Sequence, residues 1–280
     1  MNGYATLRRV YVRPPDVESL ASWEAFGWHR LPGPRSIERE HHAFRDQLAE
    51  AGAEVIIGPT QVPGDPDAIY AYDPVLVIDE GAIMLRPGKE GRRAEPEAVA
   101  GDLEASGVPV LAALEAPATA EGGDLVFLDD ATLLVGVGYR TNTAGVEQLA
   151  SILEARDITV HRFDLPFFRG PDTCLHLMSF FSPLDADLAV AYLPMMPVRL
   201  AQLLEQRGIR TVDVPHEEFP TMGPNVLALG PRVALALEGN PETRRRMEAT
   251  GVDVRVYQGE HLSLNGDGGP TCLTRPLTRG

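Results

Sequence analysis

Thr250-Gly251-Val252-Asp253-Val254-Arg255-Val256 ends a helical stretch in a glycine and opens a β-branched strand two residues later. Glycine at that place is the common left-handed cap of a helix C-terminus. The same passage from helix through Gly or Asp into strand stands at Ala51-Gly52-Ala53-Glu54-Val55-Ile56-Ile57 and at Ser106-Gly107-Val108-Pro109-Val110-Leu111. It stands again at Arg156-Asp157-Ile158-Thr159-Val160 and at Arg207-Gly208-Ile209-Arg210-Thr211-Val212. Helical periodicity precedes each of them, over 36–50, 95–105, 144–155, 198–206 and 241–249. Ahead of most of these helices lie two strand-like runs, such as Val75-Leu76-Val77-Ile78 with Ala82-Ile83-Met84-Leu85. Leu125-Val126-Phe127-Leu128 with Thr132-Leu133-Leu134-Val135, and Val226-Leu227-Ala228-Leu229 with Val233-Ala234-Leu235-Ala236, repeat the pair. The unit is strand, strand, helix, strand, with a period of roughly 45–55 residues. Five units closing in a ring make an α/β fold, a five-bladed α/β propeller. Arg8-Arg9-Val10-Tyr11-Val12 has no preceding partner in its own unit, so the final stretch of chain must return to it. From the third unit on, no Pro/Gly/Ser-rich linker breaks the pattern, and residues 1–280 read as a single domain.

Composition narrows the function. A formal net charge of −15 argues against nucleic acid, whose phosphates are held by clustered Lys and Arg, and favours a small cationic partner. No apolar run is long enough to span a membrane, so no membrane partner is expected. Met1-Asn2-Gly3-Tyr4-Ala5 lacks a basic stretch followed by an apolar core, and the expected location is cytoplasmic. In that reducing setting Cys174 and Cys272 are expected to stay unpaired. Neither His-x3-His nor Cys-x2-Cys occurs, and glycine-rich phosphate loops are absent, so neither a metal nor a cofactor is expected. Lys89 is the only lysine, which reads as a trait of composition.

The ring gives a place where chemistry can gather. After the last strand of each unit the chain crosses to the next, and the crossings converge on the ring axis. Asp67, Glu121, His176 and Cys272 each fall in such a crossing. Cys272 sits in Gly266-Asp267-Gly268-Gly269-Pro270-Thr271-Cys272-Leu273-Thr274-Arg275-Pro276-Leu277, where a glycine pair permits close backbone approach and Pro270 stiffens the approach to the thiol. That suits a nucleophile, although a lone cysteine is more often a small buried hydrophobe, and the preference turns on the Glu121 and His176 motifs upstream. His176 suits a general acid and base, against the alternative of a satisfied structural histidine. Cys174, two residues from His176, reads as packing.

Glu121-Gly122-Gly123-Asp124, then Leu175-His176-Leu177-Met178-Ser179, then Gly269-Pro270-Thr271-Cys272, in that order, resemble the guanidino-group-modifying superfamily. Its members include arginine deiminases, dimethylarginine dimethylaminohydrolases and amidinotransferases. The resemblance implies the pentein fold, which is the same five-bladed propeller. It implies a catalytic set of Cys272, His176 and Glu121, with the thiol attacking a guanidinium carbon to form a thiouronium adduct that water hydrolyses. Asp67-Ala68-Ile69-Tyr70-Ala71-Tyr72-Asp73 resembles the family's Asp-x-x-Phe-x-x-Asp pattern, which makes Asp67, Tyr70 and Asp73 substrate ligands. Turn capping beside Pro66 and Pro74 is the plainer role for such aspartates, and it is kept for Asp65. Arg140 in Arg140-Thr141-Asn142 looks like the residue that binds a substrate carboxylate. Arg92 looks like a second clamp, with Arg86 and Arg93 as alternatives. Deiminases carry an Asp where this chain has Met178, which points to methylated arginine; the Cys272-Leu273-Thr274-Arg275-Pro276-Leu277 end is more like a deiminase. The leading expectation is a hydrolase that converts Nω-methylated arginine to citrulline and an alkylamine. A deiminase, an enzyme of another guanidino compound or a non-catalytic guanidino-binding protein are the alternatives; amidinotransferases, typically longer, fit least. The reading leaves room for a homodimer.

Overall fold

A computed structural model describes residues 2–280. The chain opens with β1 (Leu7–Val12), α1 (Pro34–Glu50) and β2 (Glu54–Ile57). A second unit holds β3 (Val75–Ile78), β4 (Gly81–Met84), α2 (Glu95–Ala105) and β5 (Val110–Ala113). The third holds β6 (Leu125–Asp129), β7 (Thr132–Val137), α3 (Thr143–Glu154) and β8 (Thr159–Asp164). The fourth holds β9 (Phe181–Asp185), β10 (Leu188–Ala191), α4 (Val198–Gln206) and β11 (Arg210–Asp213). In the fifth come β12 (Leu227–Gly230), β13 (Val233–Leu237), α5 (Pro241–Ala249) and β14 (Asp253–Tyr257), followed by β15 (Arg275–Arg279).

Each unit forms a three-stranded sheet whose first pair is antiparallel and whose second pair, joined through the helix, is parallel. The first sheet is completed from the far end of the chain, in the order β15-β1-β2, with β15 antiparallel to β1. Gly280 N donates to the Thr6 carbonyl and Arg8 Nε to the Gly280 carbonyl, which fastens the closure. The fold is the five-bladed α/β propeller that the repeat predicts.

All five caps carry the backbone conformation their residues suggest. Gly52, Gly107, Gly208 and Gly251 have φ of +91°, +83°, +68° and +85°, and Asp157 has +56°. Burial then separates the strands by depth. β3 and β12 are buried at every position, and β6 and β9 at all but the last, whereas β2, β5 and β11 leave their ends exposed. The first strands therefore face the axis and the third strands lie outside, under the helices. Apolar residues spaced by three to seven positions turn the helices inward, as with Ile37, Phe44 and Leu48 of α1. Among the described residues no helix is long and apolar enough to cross a membrane.

Candidate active site

The segments that lead from each outer strand to the next inner strand meet at one end of the ring. Each contributes polar groups to one cluster. The β2–β3 crossing supplies Asp67, Tyr70 and Asp73, the β5–β6 crossing Glu121 and Asp124, and the β8–β9 crossing His176. The β11–β12 crossing supplies Asn225 and the β14–β15 crossing Cys272.

Glu121 is fully buried and takes a 2.8 Å hydrogen bond from His176 Nε2. Burial pushes its carboxyl up, but that hydrogen bond and the charges of His176 and Arg140 outweigh it and hold the group well below the usual carboxylate range. For His176 burial opposes the charged form, and the Cys174 thiol and the carboxylates of Asp124 and Asp73 overcome it, so the imidazole stands above its ordinary range. His176 Nδ1 lies 4.0 Å from Asp73 Oδ1.

A frame of hydrogen bonds holds this pair. Asp124 Oδ1 accepts from Leu177 N at 3.0 Å and Oδ2 from Thr141 Oγ1 at 2.6 Å, while Thr141 Oγ1 accepts from Glu121 N at 3.2 Å. Asn142 caps α3 by accepting from Gly145 N at 2.8 Å. Arg140 Nη1 lies 3.4 Å from both oxygens of Glu121. The run Arg140-Thr141-Asn142 thus supports the Glu121-Gly122-Gly123-Asp124 turn from below. The glycines of that turn serve side chains and backbone of the protein itself: a Cβ on Gly122 would strike the Tyr72 carbonyl, and one on Gly123 the His176 imidazole. Likewise a Cβ on Gly268 would strike the Tyr70 ring and one on Gly269 the Asn225 amide.

Cys272 is half-buried, and its Sγ accepts from Asn225 Nδ2 at 3.5 Å. Burial, then the Asp73 carboxylate, push the thiol up to about 11, against the lowering effect of His176. Tyr72 N donates to the Cys272 carbonyl at 3.1 Å, which sets the thiol beside Asp73. Asp73 Oδ1 accepts from Gly123 N at 2.9 Å and Oδ2 from Arg92 Nη1 at 2.6 Å. Asp67 accepts from Trp28 Nε1 at 2.7 Å and Lys89 Nζ at 2.6 Å. Tyr70 is buried between these two aspartates in sequence, with its ring packed on Gly268.

The eight predicted residues come together, with differences in partners. Of the three arginines weighed, Arg92 is the buried one; Arg86 and Arg93 donate to the carbonyls of Ala118 and Pro87. Arg92 bonds Glu95 through Nε and Nη2 at 2.5 and 2.9 Å as well as Asp73, so its donors are engaged by the protein's own acids. Asp65 makes no capping hydrogen bond, and burial raises its carboxyl. Met178 packs in the core and lines a separate cavity with Tyr72, Val226 and Arg275. Lys89 is no mere trait of composition: besides Asp67 it bonds the Phe26 carbonyl at 2.7 Å, and its backbone N donates to Glu121 Oε1 at 3.1 Å. Lys89, Trp28, Glu95, Asp124 and Asn225 are the residues that sequence reasoning missed as parts of the site. Two of them had a signal: Asn225 in its place in the remaining crossing, and Asp124 as the end of the Glu121-Gly122-Gly123-Asp124 motif, to which no role was given. Glu121, Cys174 and His176 also hold ligand-type atoms within 4.8 Å of one another. Arg140 Nη1, 3.4 Å from both Glu121 oxygens, places a positive charge beside that group.

Comparison with known proteins gives the family and the fold. Residues 35–278 match the family described as N,N dimethylarginine dimethylhydrolase, eukaryotic. The N(G),N(G)-dimethylarginine dimethylaminohydrolase of Streptomyces coelicolor is 32% identical over 75% of this chain and 74% of its own. The arginine deiminase of Mycobacterium marinum is 30% identical over 58% of this chain and 47% of its own. In fold, the chain superposes on the dimethylarginine dimethylaminohydrolase of Pseudomonas aeruginosa complexed with citrulline. The TM-score there is 0.79 at 22% identity, over 96% of this chain and 98% of that one.

Proposed function

Since the chain belongs to the N,N-dimethylarginine dimethylhydrolase family, a family of guanidino-group hydrolases, we propose that it hydrolyses Nω-methylated arginine to citrulline and an alkylamine. The observation that carries this reading is the meeting of the crossings: a thiol, an imidazole held by a buried glutamate, and two aspartates around one point. Asp67 and Asp73 present carboxylates there, which suit a planar cation with N–H donors in a fork.

In this reading the substrate guanidinium lies between Asp67 and Asp73, with Tyr70 beside it and Arg140 toward the α-carboxylate. Its positive charge stabilises the Cys272 thiolate, and the thiol proton leaves to solvent as the substrate binds. Cys272 Sγ attacks the guanidinium carbon and the C–N bond to the alkylated nitrogen breaks. His176, already protonated, gives its proton to the departing amine. The thiouronium adduct remains. Neutral His176 then takes a proton from water as the hydroxyl adds to the same carbon, and the C–S bond breaks as the proton of that hydroxyl passes to the departing sulfur, releasing citrulline and restoring the Cys272 thiol. Glu121 holds the imidazole in place and offsets its charge. Arg92 braces Asp73. Methylated substrate is favoured over arginine because position 178, an Asp in deiminases, brings no carboxylate here to pair with an unsubstituted nitrogen; Met178 itself packs in the core.

The test is a comparison of kcat/KM for asymmetric dimethylarginine, monomethylarginine, arginine and agmatine, with ureido product and released amine both measured. Dimethylarginine should lead, with one dimethylamine per citrulline, and Cys272→Ser should abolish turnover without unfolding. Ammonia from arginine at higher kcat/KM would make the chain a deiminase, the reading that the deiminase relatives favour. No turnover of any guanidino compound, with binding retained, would make it a binding protein.

A further inference from the structure

Farther along the inner strands, the ring axis holds a cavity of about 40 Å³. Every inner strand contributes to its wall: Val77 from β3, Val126 from β6, Pro183 from β9, Leu227 from β12, and Arg275 and Arg279 from β15. The two arginines differ from Arg92 and Arg140 in their partners. Arg275 is 3% exposed; it donates through Nη2 to the Tyr72 carbonyl, and its guanidinium carbon lies 3.5 Å from the centre of the Tyr72 ring. Its Nε has no hydrogen-bond partner among the described residues. Arg279, half-buried, donates through Nη1 to the carbonyls of Ala5 and Ala228 at 2.6 and 2.9 Å. Neither is ion-paired with a carboxylate among the described residues, whereas Arg92 and Arg140 each have one.

Buried charge is costly without a counter-charge. Burial lowers the pKa of both groups, Arg279 to about 10, and Arg275 adds like-charge repulsion to Arg279. A guanidinium nonetheless stays protonated at neutral pH. In a chain of net charge −15, two cations without an ion-pair partner on the wall of one internal cavity form a local well for negative charge. Carbonyls, the Tyr72 ring and, for Arg275, the charge of Asp73 acting from beyond ion-pair distance supply partial compensation only. A water-sized sphere takes about 10–15 Å³, so the cavity has room on the order of three of them. That excludes a phosphate ester or an amino acid. The apolar side chains on the rest of the wall suit an ion that gives up water readily.

We infer that the axial cavity binds a small monovalent anion, of halide or formate size, between Arg275 and Arg279. The site is separate from the guanidino site and opposite to it in sign. It adjoins that site through the Tyr72 carbonyl, one residue before Asp73.

Thermal unfolding of the full chain in chloride against gluconate, at constant ionic strength, reads this directly. Tm should rise by a few degrees with chloride and saturate, because a ligand that binds only the folded state stabilises it. Crystals soaked in bromide should show an anomalous scatterer between Arg275 and Arg279. Arg275→Met and Arg279→Met keep most of the side-chain length without the charge, and each should lose both the chloride-dependent rise and the bromide peak. Should one variant fail to fold, the other carries the test. Equal Tm in chloride and gluconate, with water between the arginines in the bromide crystals, overturns the inference. So does a chloride effect that survives in both variants. A bromide peak with no chloride-dependent Tm means an adventitious ion only, and overturns it too.

Discussion

At the scale of single residues, Cys272 and Arg140 make separable predictions. With the Cys272 thiol pushed up to about 11, the thiolate fraction of the free protein is small at neutral pH and grows about tenfold per pH unit below that value. Neutral iodoacetamide, applied to a Cys174→Ser background, should therefore label Cys272 at a rate that keeps climbing past pH 9. A plateau near the ordinary thiol value of about 8.5 would show that burial and Asp73 do not raise it. Arg140→Ala should lower kcat/KM for dimethylarginine by an amount equivalent to about 2–5 kcal/mol, the usual cost of truncating one partner of a buried charged hydrogen bond. Agmatine, which lacks the α-carboxylate, should lose much less. Equal losses would place the effect of Arg140 in its contact with Glu121, 3.4 Å away, and not in substrate recognition.

At the scale of elements, one substitution has opposite effects according to backbone conformation. Gly251 ends α5 with φ +85° and nothing within 4 Å of the place a Cβ would take, so Gly251→Ala meets only the left-handed backbone penalty. Stability should fall by about 1–2 kcal/mol. Gly101 lies inside α2, exposed and equally uncrowded. There Gly101→Ala should raise stability by about 0.8–1 kcal/mol through helix propensity alone. Urea midpoints at constant m measure both, and a shared sign would mean that the caps do not hold the helix–strand passages.

At the scale of the whole molecule, closure through β15 joins the two ends of the chain and should make the ring unfold as one unit. Leu277 of β15 is 5% exposed and packs with Tyr11, Val75 and Leu103. Leu277→Ala should lower the urea midpoint by an amount equivalent to about 2–5 kcal/mol, the range for large-to-small core changes. Circular dichroism and alkylation of Cys272 should still report one coincident transition. Two separated transitions would divide residues 1–280 into more than one folding unit.

The amino-acid sequence by itself determined the ring. Helix caps, strand runs and their period depend on neighbours a few residues apart, so the passages at Gly52, Gly107, Asp157, Gly208 and Gly251 were legible before any contact was known. The placing of Asp67, Glu121, His176 and Cys272 in crossings followed from that period. β9 was less legible, because Pro183 interrupts a run that the buried first strand of the fourth unit tolerates. Only the tertiary structure decided which charges meet. Lys89 finds Asp67 across 22 positions, His176 finds Glu121 across 55, and Asn225 reaches Cys272 across 47. The same holds for the glycines: Gly122, Gly123, Gly268 and Gly269 are required by groups brought against them from other blades or loops. Ion pairs and close approaches of this kind carry no local signature, since they exist only once the five crossings converge on the axis.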